Sequence, residues 1–373
     1  MLALSSGSSF ADWPTCLKQG NADHRIAACT QVIQKDPGHM PAYSMRAIVY
    51  LAQGKVDLAQ QDFYKVLQLP AADDARRKLH DSATSALKQI ALSKKGSPKL
   101  KNPDPDPALN ETVVQLPLSV KLPSGETHKG EFVLTTMRPN GSGPFPAVIV
   151  SHGHSGLLRT QMGRNRMLGP DLVRKGFAVL APTRIGHGIS SIAEDPELPR
   201  SDGRGCEGQD HRPAATAGSD HIQATIAFAI KQAWIDKDKL ILLGASAGGF
   251  HSLVAAGTRQ SVVKAVVNFV GGHGGQYTRP GQPCNPDNVA AVLSAAGMGN
   301  PIPTIWFYSE NDKLFGSLVP RQWHAGYVKA GGRAEFHMLP PLGEDGHDIL
   351  GPGRPHWMPL LDRFLASNGL HPK

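Results

Sequence analysis

The chain is poor in several things, and each shortage excludes a class. Four cysteines in 373 residues rule out a disulfide scaffold or a multi-zinc protein. No stretch approaches the roughly 18 uninterrupted apolar residues of a membrane helix, so no membrane span is encoded. Aromatic residues make up only 6%, and the basic residues are scattered. A basic patch interleaved with stacking aromatics, the footprint of nucleic-acid binding, is missing, so no nucleic-acid partner is expected. The excess of 39 Lys and Arg over 31 Asp and Glu, a net charge of +8, is read as solvated surface. With 40% apolar and 19% charged residues the chain is too apolar for wholesale disorder. Its length suits two domains, or one large domain with an appendage.

The first eleven residues, MLALSSGSSFA, end on Ser9-Phe10-Ala11, the small-x-small pattern of a signal-peptidase site. No basic n-region or full apolar core stands ahead of it, so residues 1–11 are read as the remnant of a signal or a disordered start. Residues 12–92 have few glycines and helical periodicity. They also repeat: HRIAACTQVIQKDP lines up with LAQQDFYKVLQLP, Cys29 over Phe63 and Val32 over Val66, each 34 positions apart. That is the period of helix–turn–helix tetratricopeptide units. The second unit resembles them in detail, with Tyr43, Ala47 and Tyr50 on the first helix, Gly54 at the turn, and Ala59 and Phe63 on the second. Small residues at 47 and 59 let the helices approach, while Tyr50 and Phe63 fill the groove. The first unit is degenerate, and a trailing helix is expected near Ala72 to Leu92. So short a stack is expected to pack on the rest of its own chain or on a second copy, rather than serve as a dedicated peptide binder. Cys16 and Cys29 lie on opposite helices of the first hairpin. Either they are bridged, worth about 3 kcal/mol through loop closure, or they are two buried thiols. Residues 93–110, rich in Pro and Lys, read as an interdomain linker.

From about Glu111 the texture changes. Alternating strands run from Val113 to Val120 and from Glu131 to Met137. Short apolar runs follow at 146–150, 177–181, 240–244, 263–270, 303–308 and 334–339. Helices are expected between them at about 164–175, 219–234, 247–257, 316–330 and 356–367. Such alternation implies an α/β fold: a mostly parallel sheet covered on both faces, with the first two strands antiparallel at one edge. The domain boundaries that follow are 12–92 for the all-α part and 111–373 for the α/β part.

The most specific feature is LILLGASAGGFHSLVAAG. An apolar strand ends at Gly244, and a helix begins just after Ser246, leaving Gly244-Ala245-Ser246-Ala247-Gly248 at the turn. This G-x-S-x-G pattern is a nucleophile elbow, whose turn is too tight for side chains at the two glycines. Ser246 is the candidate nucleophile. A serine nucleophile needs an acid and then a histidine further along the chain. Asp312, in the loop beyond the strand PTIWFYSEND, is the candidate acid, with Glu310 its rival. His347, in GEDGHDIL after the last strand, is the candidate base; His337 lies within that strand and His356 begins the terminal helix. An oxyanion hole requires two backbone donors. Ala247 follows the nucleophile, and His154 lies in the glycine-containing loop Ser151-His152-Gly153-His154-Ser155-Gly156. Reading His152-x-His154 as a metal pair finds no Cys or carboxylate cluster beside it, so no metal and no cofactor are expected.

Residues 111–370 resemble the α/β-hydrolase superfamily, most closely its dienelactone-hydrolase-like and acetyl-xylan-esterase-like branch. The matching features are the His152-Gly153 loop, APTRIGHGIS at 181–190, GASAGG, the SEND loop and the DGH loop. Dienelactone hydrolases proper use a cysteine where this chain has Ser246, which points to ester rather than lactone hydrolysis. The resemblance implies attack by Ser246 on an ester carbonyl with His347 as base, Asp312 stabilising the imidazolium, and the Ala247 and His154 amides holding the oxyanion. The expected substrate is a small-molecule or polymeric ester with a short acyl or aryl group. The alternatives are a prolyl-oligopeptidase-like peptidase and a repeat-mediated binding protein with a vestigial hydrolase. Two insertions, Ile189 to Ser219 with Cys206 and residues 271–288 with Cys284, follow strands on the catalytic edge. A Cys206–Cys284 bridge would tie them together, the alternative being two free thiols. Tyr277 is a candidate pocket residue, and Trp306 is read as core. The even cysteine count favours a periplasmic or secreted protein over a cytoplasmic one.

Overall fold

The computed structural model describes residues 13–17, 21–53, 55–71, 73–94, 105–154, 167–190, 192, 194–202, 204–258, 261–277 and 279–370. Residues 1–11, Gly54, most of the 93–110 linker and Ser155-Gly156 lie outside them. The chain divides into two units, residues 1–99 with 201–208 and residues 100–200 with 209–373.

The first unit is helical, with α1 (Trp13–Leu17), α2 (Ala22–Lys35), α3 (Met40–Ala52), α4 (Val56–Gln68) and α5 (Asp74–Lys94). The Asn21 side chain caps α2 by accepting the Asp23 and His24 amides, and Pro41 opens α3, where no amide is needed. Ala47 and Ala59 are fully buried and Phe63 nearly so, as the spacing predicts. Less expected is a partly buried ion pair between the same helices. Arg46 donates to both Asp62 oxygens at 2.8 Å and, through Nη1, to Thr30 Oγ1 at 2.8 Å. Cys16 and Cys29 are bridged.

The second unit is built on eight strands: β1 (Thr112–Lys121), β2 (Thr127–Met137), β3 (Phe145–Ser151), β4 (Ala178–Thr183), β7 (Ile235–Ala245), β8 (Val263–Phe269), β9 (Thr304–Ser309) and β10 (Ala334–Leu339). The two-residue strands β5 (Arg200–Ser201) and β6 (Gln209–Asp210) lie outside this sheet. The spatial order is β1-β2-β4-β3-β7-β8-β9-β10. β2 pairs antiparallel with β1 and β4, and every later neighbour pairs in parallel. All six residues of β4 and of β9 are buried, as in a sheet covered on both faces. Alternation along β9 makes the two layers visible. Trp306 meets Tyr327 and His324 of α10 (Val319–Lys329), whereas Phe307 stacks on Phe269, which meets Trp357 of α11 (Arg354–Ser367).

Most predicted elements lie within a few residues of the observed ones, with two differences. α7 (Arg212–Ala229) begins seven residues before the predicted start, because Pro213 at its first turn launches a run of small residues, Ala214 to Ser219, without amphipathic contrast. α9 (Pro286–Gly297) was not anticipated; it starts where the Asn285 side chain caps the Asn288 amide, inside a Gly- and Pro-rich stretch that reads as loop. α6 (Gly169–Arg174) is shorter than predicted, the residues before 167 lying outside those described.

Candidate active site

Four loops at the carboxyl ends of the parallel strands build the site. The turn from β7 into α8 (Ala247–Ala256) places Ser246 at φ +55°, ψ −126°. A non-glycine residue holds this backbone only under constraint, at a cost on the order of 1–3 kcal/mol. The constraint is visible: the Ser246 amide donates to Phe269 O at 2.9 Å, and neither flanking glycine has room. A Cβ on Gly244 would lie 2.1 Å from Gly248 O, and one on Gly248 would lie 2.1 Å from Ser151 O. Both glycines are therefore steric requirements of the elbow.

His347 Nε2 lies 3.0 Å from Ser246 Oγ, and its Nδ1 lies 3.1 and 3.2 Å from the two Asp312 oxygens. Asp312 is buried, and its Oδ1 accepts the Leu314 and Phe315 amides at 2.8 and 3.0 Å, so the loop after β9 holds the carboxylate in place. Glu310 is exposed, His337 pairs with Glu335 and stacks on Phe307 within the sheet, and His356 is exposed on α11. None of these rivals takes part. One Asp345 oxygen accepts the amides of both His347 and Lys313, joining the loop that carries the histidine to the loop that carries the acid. Gly346 is needed there, since a Cβ would sit 2.5 Å from Asn311 Oδ1 and Ser309 Oγ. Tyr277 is largely exposed, with its hydroxyl beside Asp345; partial desolvation and the Asp345 charge raise its pKa.

Ala247 is the first residue of α8, so its amide has no intrahelical carbonyl to reach. The loop after β3 passes directly over the nucleophile, where a Cβ on Gly153 would lie 3.2 Å from Ser246 Cβ. His154 follows, with Nε2 bound to Asp195 Oδ2 at 2.8 Å. Beneath this loop lies Arg184, fully buried, which the sequence reading left without a role. Its Nη1 donates to Ser151 Oγ at 2.9 Å and His152 O at 2.8 Å, and its Nη2 reaches Gly153 O at 3.4 Å. Glu197, also fully buried, accepts from Arg184 Nε and, at 3.0 Å, from Nη2. Burial alone would raise the Glu197 carboxyl, but Arg184 and the neighbouring histidines overcome it and hold it well below the ordinary range.

Five buried histidines, His152, His187, His221, His251 and His273, lie around this pair, and a sixth, His211, is bonded to His273. Burial lowers the pKa of each, to about 4 for His221 and about 3 for His251. The hydrogen bonds of His152 and His221 fit neutral rings. His152 Nδ1 donates to Gly153 O at 2.7 Å while its Nε2 accepts the Arg184 amide at 3.2 Å. His221 donates to Ala217 O at 2.7 Å and accepts the Ile185 amide at 2.9 Å. Cys206 and Cys284 are both disulfide-bonded, and no cysteine of the chain is free.

The sheet order, the elbow and this set of loops define an α/β-hydrolase fold. Residues 146–282 match the family described as alpha/beta hydrolase fold. Among solved structures, the chain is similar to a protein assigned as a dipeptidyl aminopeptidase IV from Bacteroides ovatus, at 12% identity and a TM-score of 0.50. That match covers 69% of this chain but only 36% of the other. It is similar to a protein assigned as a dienelactone hydrolase from Klebsiella pneumoniae, at 16% identity and a TM-score of 0.47, over 70% of this chain and all of that one. The 2,6-dihydroxy-pseudo-oxynicotine hydrolase, at 16% identity and a TM-score of 0.45, is matched over 98% of this chain and 96% of its own. No curated protein matches the chain.

Proposed function

We propose that the chain is a serine hydrolase of carboxylic esters with short acyl or aryl groups. The observation that carries this reading is the continuous hydrogen-bond chain from Ser246 Oγ through His347 to Asp312, starting on a strained elbow. His347 takes the proton of Ser246 as Oγ attacks the ester carbonyl. Asp312 stabilises the imidazolium, and the Ala247 and His154 amides receive the oxyanion. Collapse expels the alcohol, which takes its proton from His347, and water activated by His347 then hydrolyses the acyl-enzyme. Tyr277 offers an exposed ring beside the site against which an aryl group can lie. Four bridged cysteines support assignment to an oxidising compartment, periplasmic or extracellular. For the helical unit the proposed role is packing or self-association.

The test is hydrolysis of p-nitrophenyl acetate and butyrate by the wild type and by Ser246→Ala. Turnover that vanishes with the serine supports the reading, and a folded wild type that cleaves no short ester removes it. Preferential cleavage of a peptidyl p-nitroanilide would instead favour a peptidase. The 12% likeness to a peptidase chain by itself speaks only for the fold.

A further inference from the structure

A second cluster of polar side chains lies beside the site and takes no part in the proposed reaction. His154 in the loop after β3, His187 in the turn after β4, and Asp195 eight residues on bring three ligand-capable atoms within 4.8 Å of one another. His154 Nε2 is 2.8 Å from Asp195 Oδ2, and His187 Nε2 is 4.0 Å from the same oxygen. Two imidazoles and a carboxylate are a common donor set for zinc held by three protein ligands. Bonds of about 2.1 Å in a tetrahedron separate donors by about 3.4 Å. The two measured separations each differ from that value by about 0.6 Å, and the remaining pair of donor atoms lies within 4.8 Å.

An independent observation points to a ligand here. His187 is completely buried, and among the described residues neither of its ring nitrogens has a hydrogen-bond partner. Leaving a buried polar group unpaired costs about 1–3 kcal/mol. Its Nε2 faces carboxylate oxygens, Asp195 Oδ2 at 4.0 Å and Glu197 Oε2 at 3.7 Å. Asp195 is already oriented for coordination. Its Oδ1 accepts the Glu197 amide at 2.9 Å, which turns Oδ2 towards the two histidines in the manner of an outer partner fixing a metal ligand. The charges agree as well: Glu197 is taken up by Arg184, so Asp195 supplies the remaining negative charge. The His154 side chain is one-third exposed, which provides a path of entry. The His152-x-His154 pair considered from sequence is a different set, because both His152 nitrogens are occupied by Gly153 O and the Arg184 amide.

We propose that His154 Nε2, His187 Nε2 and Asp195 Oδ2 bind one divalent transition-metal ion, zinc first by donor type. The ion links the loop after β3 to the two turns after β4, and its binding does not depend on the ester-hydrolase reading. Full-length protein stripped with a chelator is dialysed against Zn²⁺, with bound metal measured by mass spectrometry and affinity by calorimetry. One equivalent per chain is expected. His154→Gln, on the partly exposed ligand and so least able to disturb the fold, and Asp195→Asn should each weaken binding by about 10-fold or more. His356→Gln, on exposed α11, should leave it unchanged. Co²⁺ in place of zinc should give the visible absorption of a four- or five-coordinate ion, absent in Asp195→Asn. Circular dichroism confirms that each variant is folded. Failure of the folded wild type to bind a stoichiometric ion, or full binding retained by either ligand variant, overturns the proposal.

Discussion

At the scale of single residues, the reaction chemistry leaves marks in the sequence that structural charges do not. A serine nucleophile needs two glycines at fixed distances and an acid and a histidine in that order beyond later strands. The three residues proposed for these roles, Ser246, Asp312 and His347, which the structure brings into hydrogen-bond contact, could therefore be singled out from the sequence. Their geometry supports a sharp expectation for Asp312→Asn. With the carboxylate gone, His347 loses the partner that orients it and stabilises its charged form, so ester kcat should fall by about 10³-fold or more with KM little changed. A fall below tenfold in steady-state assays would remove Asp312 from the proposed role. Arg184, by contrast, stands in the APTRIGHGIS stretch that carries the resemblance, but its partners were not readable. Nothing in the spacing of Arg184 and Glu197 marks a pair, and charges in a Gly-rich segment read as solvated. Yet Arg184 binds Ser151, His152 and Gly153, the stretch that leads to the second candidate oxyanion donor. In the proposed hydrolase its role is to position that stretch. Arg184→Lys keeps a charge opposite Glu197 but cannot make the same fork of bonds. It should lower kcat by about 10-fold while the KM for p-nitrophenyl butyrate holds. Equal losses of kcat and folded fraction, measured by thermal melts, would reduce Arg184 to a structural role.

Elements were legible where one pattern dominated and illegible where it was diluted. The buried strands read as apolar runs because helices cover both faces of the sheet. α9 and the first turns of α7 escaped because Ala, Gly and Ser carry little periodic contrast, and Gly and Pro around them imitate loop. The Arg46–Asp62 pair between α3 and α4 was hidden for the same reason as Arg184, since its partners meet only once the helices pack. The helical unit is where the Cys16–Cys29 link should matter most, because it closes a 13-residue separation across a short first hairpin. Replacing both by serine should cost that unit about 3 kcal/mol. In urea this appears as a midpoint about 1–2 M lower for the loss of far-UV helical signal. Ester turnover at low urea should be unaffected, since the site is built wholly from the other unit. An unmoved midpoint would mean that the bridge contributes nothing to holding the helices.

For the molecule as a whole, the histidines carry a consequence for stability. Six of them are buried and their pKa values lie below that of the unfolded chain, about 6.5. As pH falls below about 6.5 the unfolded chain takes up these protons first. Stability that is complete above that pH is therefore lost on the way down to about pH 4 for His221 and about pH 3 for His251. Glu197, held low in the fold, adds a loss of the same sign at more acid pH. His154 acts in the opposite sense. Burial opposes its charge, but the hydrogen bond and charge of Asp195 raise its pKa, so its contribution is present in acid and fades as pH rises through that value. Asp220, whose carboxyl is raised by burial, acts with His154, but the six histidines, Glu197 and the half-buried His324 all act the other way and leave acid destabilisation dominant. The melting temperature should drop by on the order of 10 °C between pH 7.5 and pH 5. His251 provides the control: it is fully buried, and among the described residues neither ring nitrogen is hydrogen-bonded. His251→Gln removes a titrating ring without adding a charge. Calorimetry on this variant should show an acid-induced loss smaller by about 2 kcal/mol at pH 5 than in wild type, whatever its stability at pH 7.5. If the two proteins lose stability in parallel, the buried histidines are not what couples this fold to acid.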